Sequence, residues 1–275
     1  FAMLISAGLG VAFSSWIMGP TGRSLLFAGI PVVLAANFMI GGSRIAEAFK
    51  LEGMTSVMAY GFFGQLFWMF GGLALLIYFG KANHVRNLAP GMAGSLSHSG
   101  LTGACTAGDL GSEAAARAPI MINVPFFGHI FVFTILAMSV ERGALIAPAA
   151  LTVAVIGVLL TAWSLKTLNK AQSKESEEVK GLMQFSFGWQ ITAVFGGFFL
   201  LHLSGMDISS AAMAKSSSIS HFGLFAATQG GMFGETASSL IPFIFAMPFL
   251  VHPLVFGIFG AAMEKEGEMP AKTVA

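Results

Sequence analysis

Charge is what this sequence has least of. Only 10% of its 275 residues are Asp, Glu, Lys or Arg, against about 25% in a soluble domain, too few to clothe a water-facing surface. The two signs nearly cancel, at net +1, and no Lys/Arg cluster stands out, which argues against nucleic acid as a partner. Cysteine is almost absent: Cys105 stands alone, excluding an internal disulfide and any metal site built from several thiolates. Also missing are a Gly-rich phosphate loop ending in Lys-Ser/Thr, an HExxH helix and a Gly-x-Ser-x-Gly elbow. Gly100–Gly111 is rich in glycine but lacks the preceding strand and the following lysine. These absences favour a protein that is not an enzyme on its own.

What is present is apolar: 55% of the residues are hydrophobic and the mean hydropathy is +0.79. Seven runs approach or exceed the roughly 18 residues needed to cross a bilayer: Ala2–Met18, Leu25–Ile40 (extending toward Ala46), Thr55–Phe79, Pro119–Val140, Ala144–Leu165, Gly181–Leu203 and Ser238–Met263. Helices are the open-ended solution, because each backbone amide must pair within its own segment. The runs do not alternate apolar and polar residues, as a barrel would require. The expected fold is an all-α integral membrane protein, a bundle of about seven transmembrane helices in one domain over residues 1–263. A tail follows at 264–275, and the lipid bilayer of a cytoplasmic or inner membrane is the first partner. Phe1–Met18 has no preceding basic stretch and reads as a span, not a signal peptide.

Two connections stand out. Residues 81–118 read as a long cytoplasmic loop. Ser112 is placed there as a helix N-cap, with Glu113 in the first turn of a short helix broken at Pro119. Within 204–236, Ser218–Phe233 is a short apolar segment that would reach only about 24 Å as a helix, so it reads as re-entrant or interfacial. The basic residues orient the bundle. With the N-terminus outside, Arg23, Lys81, Arg86, Arg117, Lys166, Lys170, Lys174, Lys180, Lys265 and Lys272 are cytoplasmic. They outweigh Arg44, Lys50, Arg142 and Lys215 outside.

No carboxylate lies near the middle of a span, which counts against a carboxylate-driven pump. The polar groups at depth are uncharged: Asn37, Gln65, Asn123, Gln184 and Gln190, with Gln229 in the short segment. A buried amide needs a partner, so each is either an interhelical hydrogen bond or part of a pathway for a small neutral or weakly acidic solute. Among the histidines, His84 and His98 fall in the long loop and are expected to face water. His129 and His252 lie near mid-span, while His202 and His221 lie near the outer face. Two such layers would suit haem or another tetrapyrrole held by imidazoles from two helices, although no single helix carries two histidines at suitable spacing. Buried, hydrogen-bonded imidazoles are the other reading. Glycines within the spans, among them Gly71, Gly72, Gly196 and Gly197, suit close helix packing or an oligomer face.

Gly61–Trp68, after the Gly41–Gly53 helix end, resembles part of the acetate-uptake transporter family, as does the spacing of helices up to Leu203. The family's Asn-Pro-x-Pro-Leu-Gly signature is missing, the charge-derived orientation is opposite, and residues beyond Leu203 have no counterpart, so no site residue is carried over. Two readings follow. One is membrane transport of a small solute or ion through the bundle. The other is an integral subunit of a larger, redox or energy-converting complex, with homo-oligomer or other membrane chains as partners.

Overall fold

The computed structural model describes residues 32–267 apart from 33–34, 37–38, 40–41, 45, 172–173 and 247–250. The expected span Ala2–Met18 and the candidate Asn37 lie outside the described residues, while the described positions between 32 and 48 are helical. Helix α1 (Met54–Ala74) continues into a π-helical turn (Leu75–Phe79). Next come α2 (Val85–Leu96), α3 (Ser99–Ala107), α4 (Ser112–Glu141) and α5 (Ala147–Ala171). Helix α6 (Glu175–Ile191) passes through a second π turn (Thr192–Gly196) into α7 (Gly197–Leu203). Then follow α8 (Ile208–Ser218), α9 (Phe222–Gln229), α10 (Glu235–Ala246) and α11 (His252–Glu266). Among the described residues there is no strand, only one antiparallel bridge between His98 and His221.

Among the described residues, four helical stretches are long and apolar enough to cross a membrane: Met54–Phe79, Ser112–Glu141, Ala147–Ala171 and Glu175–Leu203. The expected last span, Ser238–Met263, is described as two helices, α10 and α11. The expected break at Pro119 is not found. Pro119 and Pro125 both lie inside the continuous α4, whose N-cap is Gly111, one residue before Ser112.

The largest correction concerns 81–118, expected as a loop. It folds into α2 and α3, and α2 is buried along almost its whole length. Ala89, Gly91, Ala93 and Gly94 make α2 thin enough to be surrounded on all sides; Gly94 sits against the Met121 carbonyl of α4. Helix α8 has the same character, with Ala211, Ala212, Ala214, Ser216 and Ser217 all buried.

Contacts at the helix ends give the direction of each element. At one end, Arg86 pairs with Glu113 at 3.1 Å, and Arg117 bonds Asn87 and reaches Glu175 at 3.3 Å. The Val85 amide donates to Glu266 at 3.1 Å. The starts of α2, α4 and α6 therefore gather with the end of α11. At the other end, Ser209 donates to the Phe233 carbonyl, so α8 starts beside the start of α10. Helices α2–α3 and α8–α9 are thus two helical hairpins, each returning to the end it came from, and they enter from opposite ends.

Asp207 caps α8, accepting from the Ser209 and Ser210 amides at 2.9 and 3.0 Å. Burial pushes its carboxyl up, but the hydrogen bonds from Ser210 and Ser209 outweigh this and hold it below the usual 3.8. The capping contribution is therefore present above the ordinary carboxylate pKa and is lost as the pH falls through the depressed value.

The two hairpins belong to an internal duplication. With Gln65 set on Gln190, Met58 falls on Met183, Phe70-Gly71-Gly72 on Phe195-Gly196-Gly197, and Gly80 on Gly205. With His98 set on His221, Ser-x-Ser-His-x-Gly-Leu recurs at 95–101 and 218–224, Pro119 falls on Pro242, and His129 falls on His252. The first repeat comprises α1 to α4 and the second α6 to α11, and corresponding helices run in opposite directions.

Helix α5 links the repeats and packs on α6 through reciprocal glycines. A Cβ on Gly157 would lie 2.7 Å from the Thr192 amide, and one on Gly188 would lie 2.7 Å from the Thr161 amide. These neighbours are backbone and cannot swing away. Gly188→Val is therefore expected to destabilise the fold by about 1–3 kcal/mol. An unchanged thermal unfolding curve in detergent would show that the seam is looser than described.

Candidate functional site

Each hairpin turns on a tight sequence of caps. Helix α2 ends with Ser97 in the left-handed region (φ 47), its amide donating to Gly94 and the His98 amide to Ala93. Helix α8 ends the same way, with Ser220 at φ 48 and the Ser220 and His221 amides donating to Ser217 and Ser216. This is the bonding of a helix C-terminus that usually carries glycine. A serine held there costs on the order of 1–3 kcal/mol, so something must hold it. The next residue immediately caps the returning helix. His98 Nδ1 accepts from the Leu101 amide at 3.1 Å, and His221 Nδ1 accepts from the Leu224 amide at 3.0 Å.

The two tips meet at a pseudo-two-fold axis. The Ser99 amide donates to the Ser220 carbonyl at 3.2 Å, and the Phe222 amide donates to the Ser97 carbonyl at 3.3 Å. Around this bridge sit two copies of one polar arrangement. The Gln65 amide lies 2.8 Å from His98 Nε2 and 3.3 Å from Ser220 Oγ. The Gln190 amide lies 3.2 Å from His221 Nε2 and 2.7 Å from Ser97 Oγ. Each glutamine therefore ties the histidine of its own repeat to the serine of the other. His252 lies tilted beside His98 and His129 beside His221, both with ring centroids 4.9 Å apart. Gly100 and Gly223 make the room: a Cβ at either would press on the facing imidazole. All eight side chains are buried.

The caps fix the chemistry. A ring whose Nδ1 accepts a backbone N–H carries its proton on Nε2 when neutral. His98 and His221 therefore present Nε2–H to the glutamines, which complement it by turning their carbonyl oxygens inward. With the amides reversed, both Oε1 atoms would be buried without a donor. His129 Nε2 stands 3.2 Å from His221 Nε2 and 3.3 Å from the Gln190 amide, so the second half-site is a continuous chain of hydrogen-bonding groups.

Of the residues singled out in the sequence, Gln65, Gln190, His129, His221 and His252 come together here. Asn123 does not: it is exposed and donates to the Pro119 carbonyl of its own helix. Gln229 is exposed at the end of α9, and Gln184 is half-buried on α6 away from the tips. His202 lines a separate small cavity with Met206 and Asp207. Sequence reasoning missed Ser97, Ser220 and above all His98, which was expected in water and is fully buried. The repeated Ser-x-Ser-His-x-Gly-Leu was the signal that locates all three.

His129 and His252, singled out for a tetrapyrrole, lie beside different partners, His221 and His98. Among the described residues no group of three or more His, Cys, Asp or Glu could hold a metal ion. Comparison with protein-family models, curated proteins and solved structures finds no match.

Nitrogen NMR of protein labelled in histidine tests the tautomers. His98 and His221 are expected as the Nε2–H form, and a proton on Nδ1 of either ring would break the capping assignment.

Proposed function

We propose that the chain is a multi-pass membrane transport protein that passes a small solute or ion between its two hairpin tips. The observation that carries this reading is the oppositely directed duplication, with two discontinuous helical hairpins meeting at a polar cluster. Transporters place substrate at such breaks, at the interface of inverted repeats near the bilayer midplane. Non-helical backbone at that depth is tolerated where protein buries it or a cavity needs it.

In this reading the seven crossings are the two N-terminal spans, α1, α4, α5, α6–α7 and α10–α11. The hairpins are re-entrant from opposite faces, one more than the sequence suggested. The end that gathers Arg86, Arg117, Lys166, Lys170 and Lys180 faces the cytoplasm, following the basic residues. The solute is small and neutral or weakly acidic, because the tips offer donors and acceptors but no fixed charge. Cysteines at Lys81 and Asp109 are expected to label from one face of the membrane and a cysteine at Asp207 from the other. Labelling of Asp109 and Lys81 from opposite faces would mean that α2–α3 crosses the bilayer.

Flux in proteoliposomes tests the function itself. Gln65→Leu and Gln190→Leu are each expected to slow uptake about tenfold, the rate equivalent of one lost buried hydrogen bond. Asn123→Leu and Gln229→Leu should match wild type. Equal effects of all four substitutions would place the pathway elsewhere.

A further inference from the structure

The duplication supplies a control within one molecule. Lys215, in the last turn of α8, occupies the position that Met92 holds on α2. Each side chain lies over the equivalent glycine. A Cβ on Gly72 would meet Met92 Cε at 2.6 Å, and one on Gly197 would meet Lys215 Cδ at 2.6 Å. Methionine therefore satisfies the packing of this position, and the fold gives no reason for lysine. Lys215 was counted among the loop residues on the outer side of the membrane, yet it is 1% exposed and its Nζ has no hydrogen-bond partner. What it does have is the face of Trp68, 4.1 Å from Nζ to the ring centre, and the C-terminal end of α8. A buried ammonium remains costly until an anion joins it.

The repeats differ in a second way at the same place. A cavity of about 400 Å³ lies between α1, α7 and α8, walled by Tyr60, Phe63, Phe67, Trp68 and Leu200, with Lys215 in its lining. In the second repeat Trp189 stands where the first has Gly64, and its indole lies against Gly72 beside Met92. One copy is thus plugged by an indole and a thioether, and the other holds a cavity and a lysine. Phe63 and Phe67 are 65% and 62% exposed, so the aromatic wall continues onto the outer surface of the bundle.

We infer that this cavity binds an amphiphilic monocarboxylate, with its carboxylate on Lys215 and its apolar tail along the aromatic wall. The volume is at the small end for organic ligands and suits one short tail, not a two-chain lipid. A neutral amphiphile would leave the ammonium unpaired. The site lies beside the proposed pathway and does not rest on the transport reading, because it is tested by binding alone.

The experiment is calorimetric titration of the purified chain in non-ionic detergent with decanoate, and with decanol as the neutral control. Decanoate is expected to bind saturably and at least about tenfold more tightly than decanol, as a charge-assisted contact requires. Lys215→Met, which copies the first repeat, should lower decanoate affinity at least about tenfold with the unfolding temperature retained, and Lys215→Arg should preserve it. Ala59→Phe narrows the cavity with the lysine intact and should weaken binding too. Equal affinity for decanol and decanoate, or undiminished binding by Lys215→Met, would overturn the assignment.

Discussion

The pairing of Ser97 and His98 with Ser220 and His221 is the constraint on which the rest of the structure depends. Four helix ends converge there, each with backbone groups that its own helix cannot satisfy. In an apolar interior those groups have no water to turn to. The tips solve this locally, through the αL serine that closes one helix and the histidine that opens the next. They finish it mutually, through two hydrogen bonds across the axis. Thin hairpins follow from the same need, because the tips meet only if α2 and α8 slide between neighbouring helices. That requires the glycines and alanines along α2 and the alanines and serines along α8.

Once the tips are set, their side chains have little freedom. Capping commits Nδ1 of each histidine to the backbone and leaves Nε2–H to be answered. A carboxylate would answer it with a charge that the surroundings do not balance. An amide answers it neutrally, and its size reaches the opposite serine as well. The centre is therefore polar without being charged, and Lys215, beside it, is a lysine that only one repeat carries. Duplication explains the shared scaffold, and the copies differ beside it at Gly64 against Trp189 and Lys215 against Met92.

The long apolar helices were legible because their signal is local and redundant. Thr55–Phe79 and Gly181–Leu203 lie within the observed elements, and the polar residues inside them, Gln65 and Gln190, were recognisable as buried amides. The hairpins were not legible in the same way. Residues 85–107 are rich in Gly, Ser and Ala with a proline, a composition shared by loops and by helices squeezed on all sides. Hydropathy does not separate the two cases, so His98 was assigned to water. Comparing the chain with itself does separate them, since a loop would not repeat Ser-x-Ser-His-x-Gly-Leu in register with two distant prolines and a second histidine. Lys215 was misplaced for a related reason. A lysine is counted as exposed unless its neighbours say otherwise, and here the neighbour is Trp68, from a helix far away in sequence.

The weakest joint of this arrangement is also its centre. The helices around the tips are held by long seams and by backbone-to-backbone closeness at Gly157, Gly188 and Gly94. The tips are joined to each other by two backbone bonds of 3.2 and 3.3 Å and the two glutamines. Each such bond contributes about 0.5–1.5 kcal/mol net, so parting the tips costs a few kcal/mol, within reach of a solute that replaces the lost partners. Those partners are an N–H and a carbonyl on each side, flanked by a serine hydroxyl and an imidazole N–H. A small molecule that both donates and accepts hydrogen bonds restores them, whereas an apolar one of the same size does not. On the transport reading, selectivity then arises from the same unsatisfied groups that make the tips pair when nothing is between them.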